Sequence, residues 1–141
     1  MKFWDASAIV PLLVQQSSSA LSSRIHKDDP TMIVWWGSLL ECESALARLH
    51  RQGELSKSNY TSTRKMLTEF AQMWIEVNPS EDLRKRAARL LRVHPLRTAD
   101  ALQLAAALTV VASDEIDFVC MDNRLRDAAG LEGFALNPEI P

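Results

Sequence analysis

Glycine is scarce, with four in 141 residues, and a chain this poor in glycine has no loop of the kind that cradles a nucleotide's phosphates. Cysteine is scarcer. Cys42 and Cys120 are far apart and lack any Cys-x-x-Cys or Cys/His spacing, which argues against zinc and against a disulfide and favours two buried, reduced thiols. The three histidines, His26, His50 and His94, are scattered and expected at the surface. No stretch of about 18 uncharged apolar residues is present, and the first residues read as a strand rather than a charged region leading into an apolar signal core. No membrane segment is expected, and the location expected is cytoplasmic. Internal repeats and low-complexity segments are also missing.

What is there is ordinary in bulk and uneven in detail. Hydrophobic residues make up 47% and charged residues 24%, as in globular proteins generally, and the length suits one compact domain over residues 1–141. The formal net charge of −2 conceals two opposite regions. From Glu81 to Arg97 six basic residues (Arg84, Lys85, Arg86, Arg89, Arg92, Arg97) face only Glu81 and Asp82, whereas from Val111 to Pro141 seven acids, Asp114 among them, face two arginines.

Hydrophobic patterning gives alternating strands and helices. A strand over residues 1–4 runs through Asp5 into a helix over Ala6 to Val14, with Pro11 expected near its first turn. A second helix follows from Ser18 to His26. Met32 to Trp36 is a short buried strand expected beside the first. Ser38, with Glu41 three residues on, has the form of a capping box, opening a helix to Gln52 with Leu39, Cys42, Leu46 and Leu49 as its core stripe. Ser56 to Met73 is a long helix with Tyr60, Met66, Leu67, Phe70 and Met73 as core contacts, and Trp74 to Val77 is extended. The basic helix runs from Glu81 to Val93, and Thr98 to Leu108 is a helix with a small-residue face. Asp117 to Asp122 is a strand, Asn123 to Ala129 a helix, and Phe134 to Leu136 an edge strand. This order is that of an α/β protein with an open parallel sheet, which binds ligands beyond the carboxyl ends of its strands.

Four acids stand at such places: Asp5 and Asp122 at strand ends, Glu41 and Asp100 in first turns of helices. Each has a local explanation as a helix cap or dipole partner. As a set they suggest one site. Two unit charges about 4 Å apart repel by about 4 kcal/mol at an effective dielectric of 20, so convergence requires a cation, and an all-carboxylate set favours Mg²⁺ or Mn²⁺ over Zn²⁺. Such an ion can activate water and offset charge on phosphate oxygens, which points to phosphodiester hydrolysis. Arg97 and the basic helix carrying Arg89 and Arg92 offer a track for a nucleic-acid backbone, or simply a solvated face. Glu43 projects about 200° from Glu41 around the helix and cannot share its site.

These stretches carry a resemblance. Asp5-Ala-Ser-Ala-Ile-Val10, Trp35-Trp-Gly-Ser-Leu-Leu-Glu-Cys-Glu-Ser-Ala-Leu46, Leu96-Arg-Thr-Ala-Asp-Ala-Leu-Gln-Leu104 and Val119-Cys-Met-Asp122 are similar, in order and spacing over nearly the whole chain, to PIN domains, and within them to the VapC toxins of type II toxin–antitoxin pairs. The resemblance implies a three-layer α/β/α sandwich with a central, mainly parallel sheet, and a metal-dependent endoribonuclease. It places Asp5, Glu41, Asp100 and Asp122 as the catalytic, metal-binding acids, prefers Glu41 to Glu43, and gives Ser7 a supporting hydroxyl. It also implies a VapB-like antitoxin and a homodimer. Ile9, Leu12, Leu13, Leu21 and Ile25 are either core or the groove for an antitoxin helix. A PIN-like module that binds RNA or protein without catalysis is the alternative. A phosphatase with Asp5 as nucleophile would require a second Asp where Ser7 stands, and a receiver-type signalling domain would require a late lysine, whereas the last is Lys85.

Overall fold

Phe3 and Trp4 are neighbours on one strand and therefore face opposite sides of a sheet. Both are fully buried, so the sheet is covered on both faces. A computed structural model describes residues 1–111 and 115–139; Asp114 and Pro141 lie outside the described residues. The chain runs β1 (Lys2–Trp4), α1 (Ala6–Leu13), α2 (Ser19–Asp28), β2 (Met32–Trp35), α3 (Ser38–Arg51), α4 (Lys57–Met73), β3 (Ile75–Val77), α5 (Glu81–Val93), α6 (Thr98–Val110), β4 (Phe118–Val119), α7 (Asn123–Leu131) and β5 (Leu136–Asn137). The strands form one sheet in the order β3-β2-β1-β4-β5, and every pairing is parallel. Two cores sandwich it. Phe3, Ile33, Trp35 and Phe118 pack against α5, α6 and α7, while Trp4, Met32, Val34 and Val119 pack against α1, α3 and α4. Strand alternation thus assigns each side chain to one layer or the other, which is the expected three-layer α/β/α architecture.

Several sequence expectations change in the folded chain. The early-helix groove is not formed by the residues proposed for it: Ile9, Leu13 and Ile25 are buried in the second core, and of the five only Leu21 is exposed. Met66 and Met73 are exposed rather than core, because the buried stripe of α4 runs through Thr63 and Leu67. Pro11 stands sixth in α1, past the first turn, so the Ser7 carbonyl loses its intrahelical donor. β4 and β5 are each two residues long, shorter than or shifted from the stretches expected, since in both segments the ladder covers only part of the apolar run. Cys42 and Cys120 are free, buried thiols, as expected.

His94 is also buried, contrary to the surface position expected. It ends α5 and places Nε2 2.7 Å from Glu132 Oε2, while the Arg89 guanidinium binds Glu132 Oε1. This cluster joins α5 to the end of α7. Burial pushes the Glu132 carboxyl up, but the bonds from His94 and Arg89 outweigh it and hold it below the usual glutamate range. A depressed pKa contributes stability above the ordinary glutamate pKa that is lost as pH falls through the folded value. That contribution should therefore fade in acid, and the melting-temperature difference between the native protein and Glu132→Gln should shrink between about pH 5 and pH 3.

Candidate active site

β1 ends at Trp4, and the backbone of Asp5 turns out of the sheet, its N–H still bonded to the Val119 carbonyl at 3.0 Å. The Asp5 side chain caps α1 by accepting from Ser7 N at 3.0 Å, so the capping and site readings describe one geometry. Asp122 caps α7 in the same way through Arg124 N at 3.0 Å. Asp100, in the first turn of α6, accepts from Arg97 N at 3.4 Å. Glu41 lies in the first turn of α3. No capping box forms there: Gly37 is the N-cap, and the Ser38 hydroxyl instead accepts from Gln103 Nε2 at 2.8 Å, with Glu41 Oε2 3.3 Å from the same nitrogen.

The acids feel one another's charge. Asp5 is only 5% exposed, and burial raises its carboxyl above the ordinary aspartate range despite bonds from Ser7 and Cys120, with Asp100 adding to the rise. Burial and then the charge of Asp5 push Glu41 up to about 7. Asp100 is raised by burial and by Asp122, against the bond from Arg97 N and the charges of Arg124 and Arg97. Burial and the charge of Asp5 also raise the Cys120 thiol, so at 3.6 Å it serves Asp5 as a donor. The Ser7 hydroxyl accepts from Met121 N at 2.9 Å, tying the end of β1 to the turn that carries Asp122. Arg97, Ala99, Asp100, Asp122 and Arg124 line an open cleft of ≈ 430 Å³.

By its chemistry the set fits a hard divalent cation: oxygen donors that grade from buried Asp5 through half-buried Glu41 and Asp100 to exposed Asp122, with Asp5 and Asp100 favouring protonation of Glu41 and Asp122 that of Asp100 until positive charge arrives. Among the described residues, as the side chains stand, no three His, Cys, Asp or Glu groups form a ready ligating cluster.

Over 139 residues the chain is 30% identical to Ribonuclease VapC45 of Mycobacterium tuberculosis (strain CDC 1551 / Oshkosh), covering 96% of this chain and 94% of that one. The chain belongs to the VapC ribonuclease family. No family model matches it. Two solved structures share its fold. One is M. tuberculosis VapC20, described as a sarcin-ricin loop cleaving toxin, with a TM-score of 0.68 and 16% identity over 96% of this chain and 97% of that one. The other is a toxin–antitoxin complex from Klebsiella pneumoniae, with a TM-score of 0.67 and 17% identity over 99% of this chain and 100% of that one.

Against this VapC framework the sequence-derived residues divide. Asp5, Glu41, Asp100 and Asp122 come together electrostatically, with Ser7 beside Asp5 and Arg97 on the cleft. Glu43 points elsewhere and pairs with Arg64 on α4 at 3.1 Å, as helix phase requires. Arg89 and Arg92 do not line the cleft; Arg89 is held by Glu132 and Arg92 is exposed on α5. Sequence reasoning missed Arg124, Cys120 and Gln103. Arg124 had a signal, since it lies two residues past a strand-end acid. Gln103 had a weaker one, one helical turn after Asp100. No helix among the described residues is long and apolar enough to cross a membrane.

Proposed function

We propose that this chain is an endoribonuclease toxin that hydrolyses RNA phosphodiester bonds using Mg²⁺ or Mn²⁺ and is neutralised by an antitoxin protein. The observation that carries the reading is the placement of Asp5, Glu41, Asp100 and Asp122 at strand ends and first helical turns, Asp100 and Asp122 on one cleft, in a member of a ribonuclease family. Asp5, Glu41, Asp100 and Asp122 would hold the cation, Mg²⁺ characteristically taking one or two carboxylates directly and keeping several waters. When bound, the cation supplies an activated water and neutralises charge on the phosphate. The rest is done by the chain. Ser7 and Cys120 fix the Asp5 carboxylate, the burial of Asp5 keeps bulk water from its face, and Arg97 with Arg124 holds a backbone phosphate across the cleft. Arg92 extends the basic track along α5, and Arg89 joins it only by releasing Glu132. Likeness to a toxin–antitoxin complex supports the antitoxin; a homodimer, a single domain over residues 1–141 and action in the cytoplasm complete the proposal.

The test is cleavage of structured and single-stranded RNAs by antitoxin-free protein with Mg²⁺, Mn²⁺ or EDTA, beside Asp5→Ala and Asp100→Asn. Cation-dependent cutting lost in both variants is expected. Cutting indifferent to both would move the site elsewhere, and RNA binding without turnover under every condition would make the chain a non-catalytic module.

A further inference from the structure

Gln103 occupies a place where an apolar residue would be ordinary. It is 0% exposed, in a helix, α6, buried on nearly all sides at this level, its other buried residues being Ala101, Leu104, Ala105, Ala106 and Ala107. A buried amide costs free energy unless its polar atoms are bonded, and here one half is spent unusually. Nε2 bonds to both Ser38 Oγ and Glu41 Oε2, whereas Oε1 is buried with no partner among the described residues. A group kept at a cost to folding invites a functional account. Asp100 and Gln103 are three residues apart and share a face of α6, so a single helix presents one acid of the cleft and the donor that holds another.

We infer that Gln103 is a positioning residue: anchored on the Ser38 hydroxyl, its amide fixes the Glu41 carboxylate within the acid cluster and registers α3 against α6. The inference rests on the proposed role of Glu41 as a cation ligand. A two-point bridge restricts a glutamate that otherwise has free rotation about three torsions, and partners of this outer kind are worth about 10- to 100-fold in metal affinity or activity. Because Oε1 is already unpaired, an apolar side chain of similar size removes one folding cost, but it orphans the buried Ser38 hydroxyl; only replacing both partners removes the bridge without leaving a buried group unpaired.

The experiment measures Mn²⁺ binding by calorimetry, kcat and KM on an RNA substrate, and melting in EDTA for the native protein and for Gln103→Leu, Ser38→Ala, both together and Asp5→Ala. In Gln103→Leu, Mn²⁺ affinity and kcat should each fall about 10- to 100-fold with KM unchanged, and the melting temperature in EDTA should be equal or higher in the double variant, which leaves no buried partner of the bridge unpaired. Ser38→Ala should have a smaller effect, and the double variant should lose less than the two losses combined, as coupled neighbours do. Lower stability with unchanged Mn²⁺ affinity would make Gln103 a packing residue and overturn the inference. So would Mn²⁺ binding lost in Asp5→Ala but intact in Gln103→Leu, which leaves the nuclease reading standing. Mn²⁺ bound equally well by Asp5→Ala would overturn both.

Discussion

Asp5→Asn should reduce RNA cleavage by at least about 100-fold, because residues that merely support metal ligands are already worth about 10- to 100-fold, and it should raise the melting temperature of the cation-free protein. The two effects have one cause. Asn matches Asp as a helix cap, so the bond from Ser7 N that starts α1 survives the change. What disappears is a carboxylate buried beside Asp100 and Glu41, whose ionised form the surroundings disfavour. The pH dependence has a definite sign. Asp5, Glu41 and Asp100 all have pKa values raised on folding, so the folded state retains protons that the unfolded state releases. Their stabilising contribution is complete below the ordinary carboxylate pKa values and is lost as pH rises through the folded ones, which for Glu41 means through about 7. In EDTA the native protein should melt at progressively lower temperature from about pH 5 to pH 8. Asp5→Asn should show a shallower decline, and Mg²⁺ should restore the native protein most at the alkaline end. A native melting temperature that rose between about pH 5 and pH 8 in EDTA would contradict the assignment.

Phe118→Ala should destabilise the fold by about 3–5 kcal/mol, the usual range for removing a buried phenylalanine. That is a large part of the 5–15 kcal/mol typical of a whole domain. Phe118 is fully buried and lies between two rings, stacked on Phe3 at 5.5 Å and 16° and tilted against Phe134 at 5.5 Å and 48°. β4 has two residues, too few ladder bonds to set its own position, so this aromatic row locates it between β1 and β5. The turn that carries Cys120 and Asp122 follows directly. Urea denaturation should show the midpoint falling sharply in Phe118→Ala and by much less in Phe118→Leu, since volume-conserving apolar exchanges cost under about 1.5 kcal/mol. Cleavage should fail in Phe118→Ala at urea concentrations the native protein tolerates.

Much of this was legible in one dimension. The apolar run Met32 to Trp36 defines β2, and the acids at strand and helix junctions are visible because parallel sheets place their sites there. Helix phase alone separated Glu41 from Glu43, and the Arg64 pairing of Glu43 agrees with it. Residues whose role depends on what lies across the fold were not legible. Ser38 has the local signature of a cap, yet a donor 65 positions later claims its hydroxyl. His94 looked like a surface residue because Glu132, its partner in burial, is 38 positions away. Met66 and Met73 belong to the apolar stripe of α4 yet are exposed, since periodicity fixes a stripe but not which rim of it is buried.

The order β3-β2-β1-β4-β5 puts β1 in the middle of the sheet. One of its two edges is paired by residues 118–119, more than a hundred positions along the chain. A fragment that stops short of residue 118 leaves one edge of β1 unpaired and lacks Asp122, so it holds neither the complete sheet nor all four acids, and the two are finished by the same late stretch of chain.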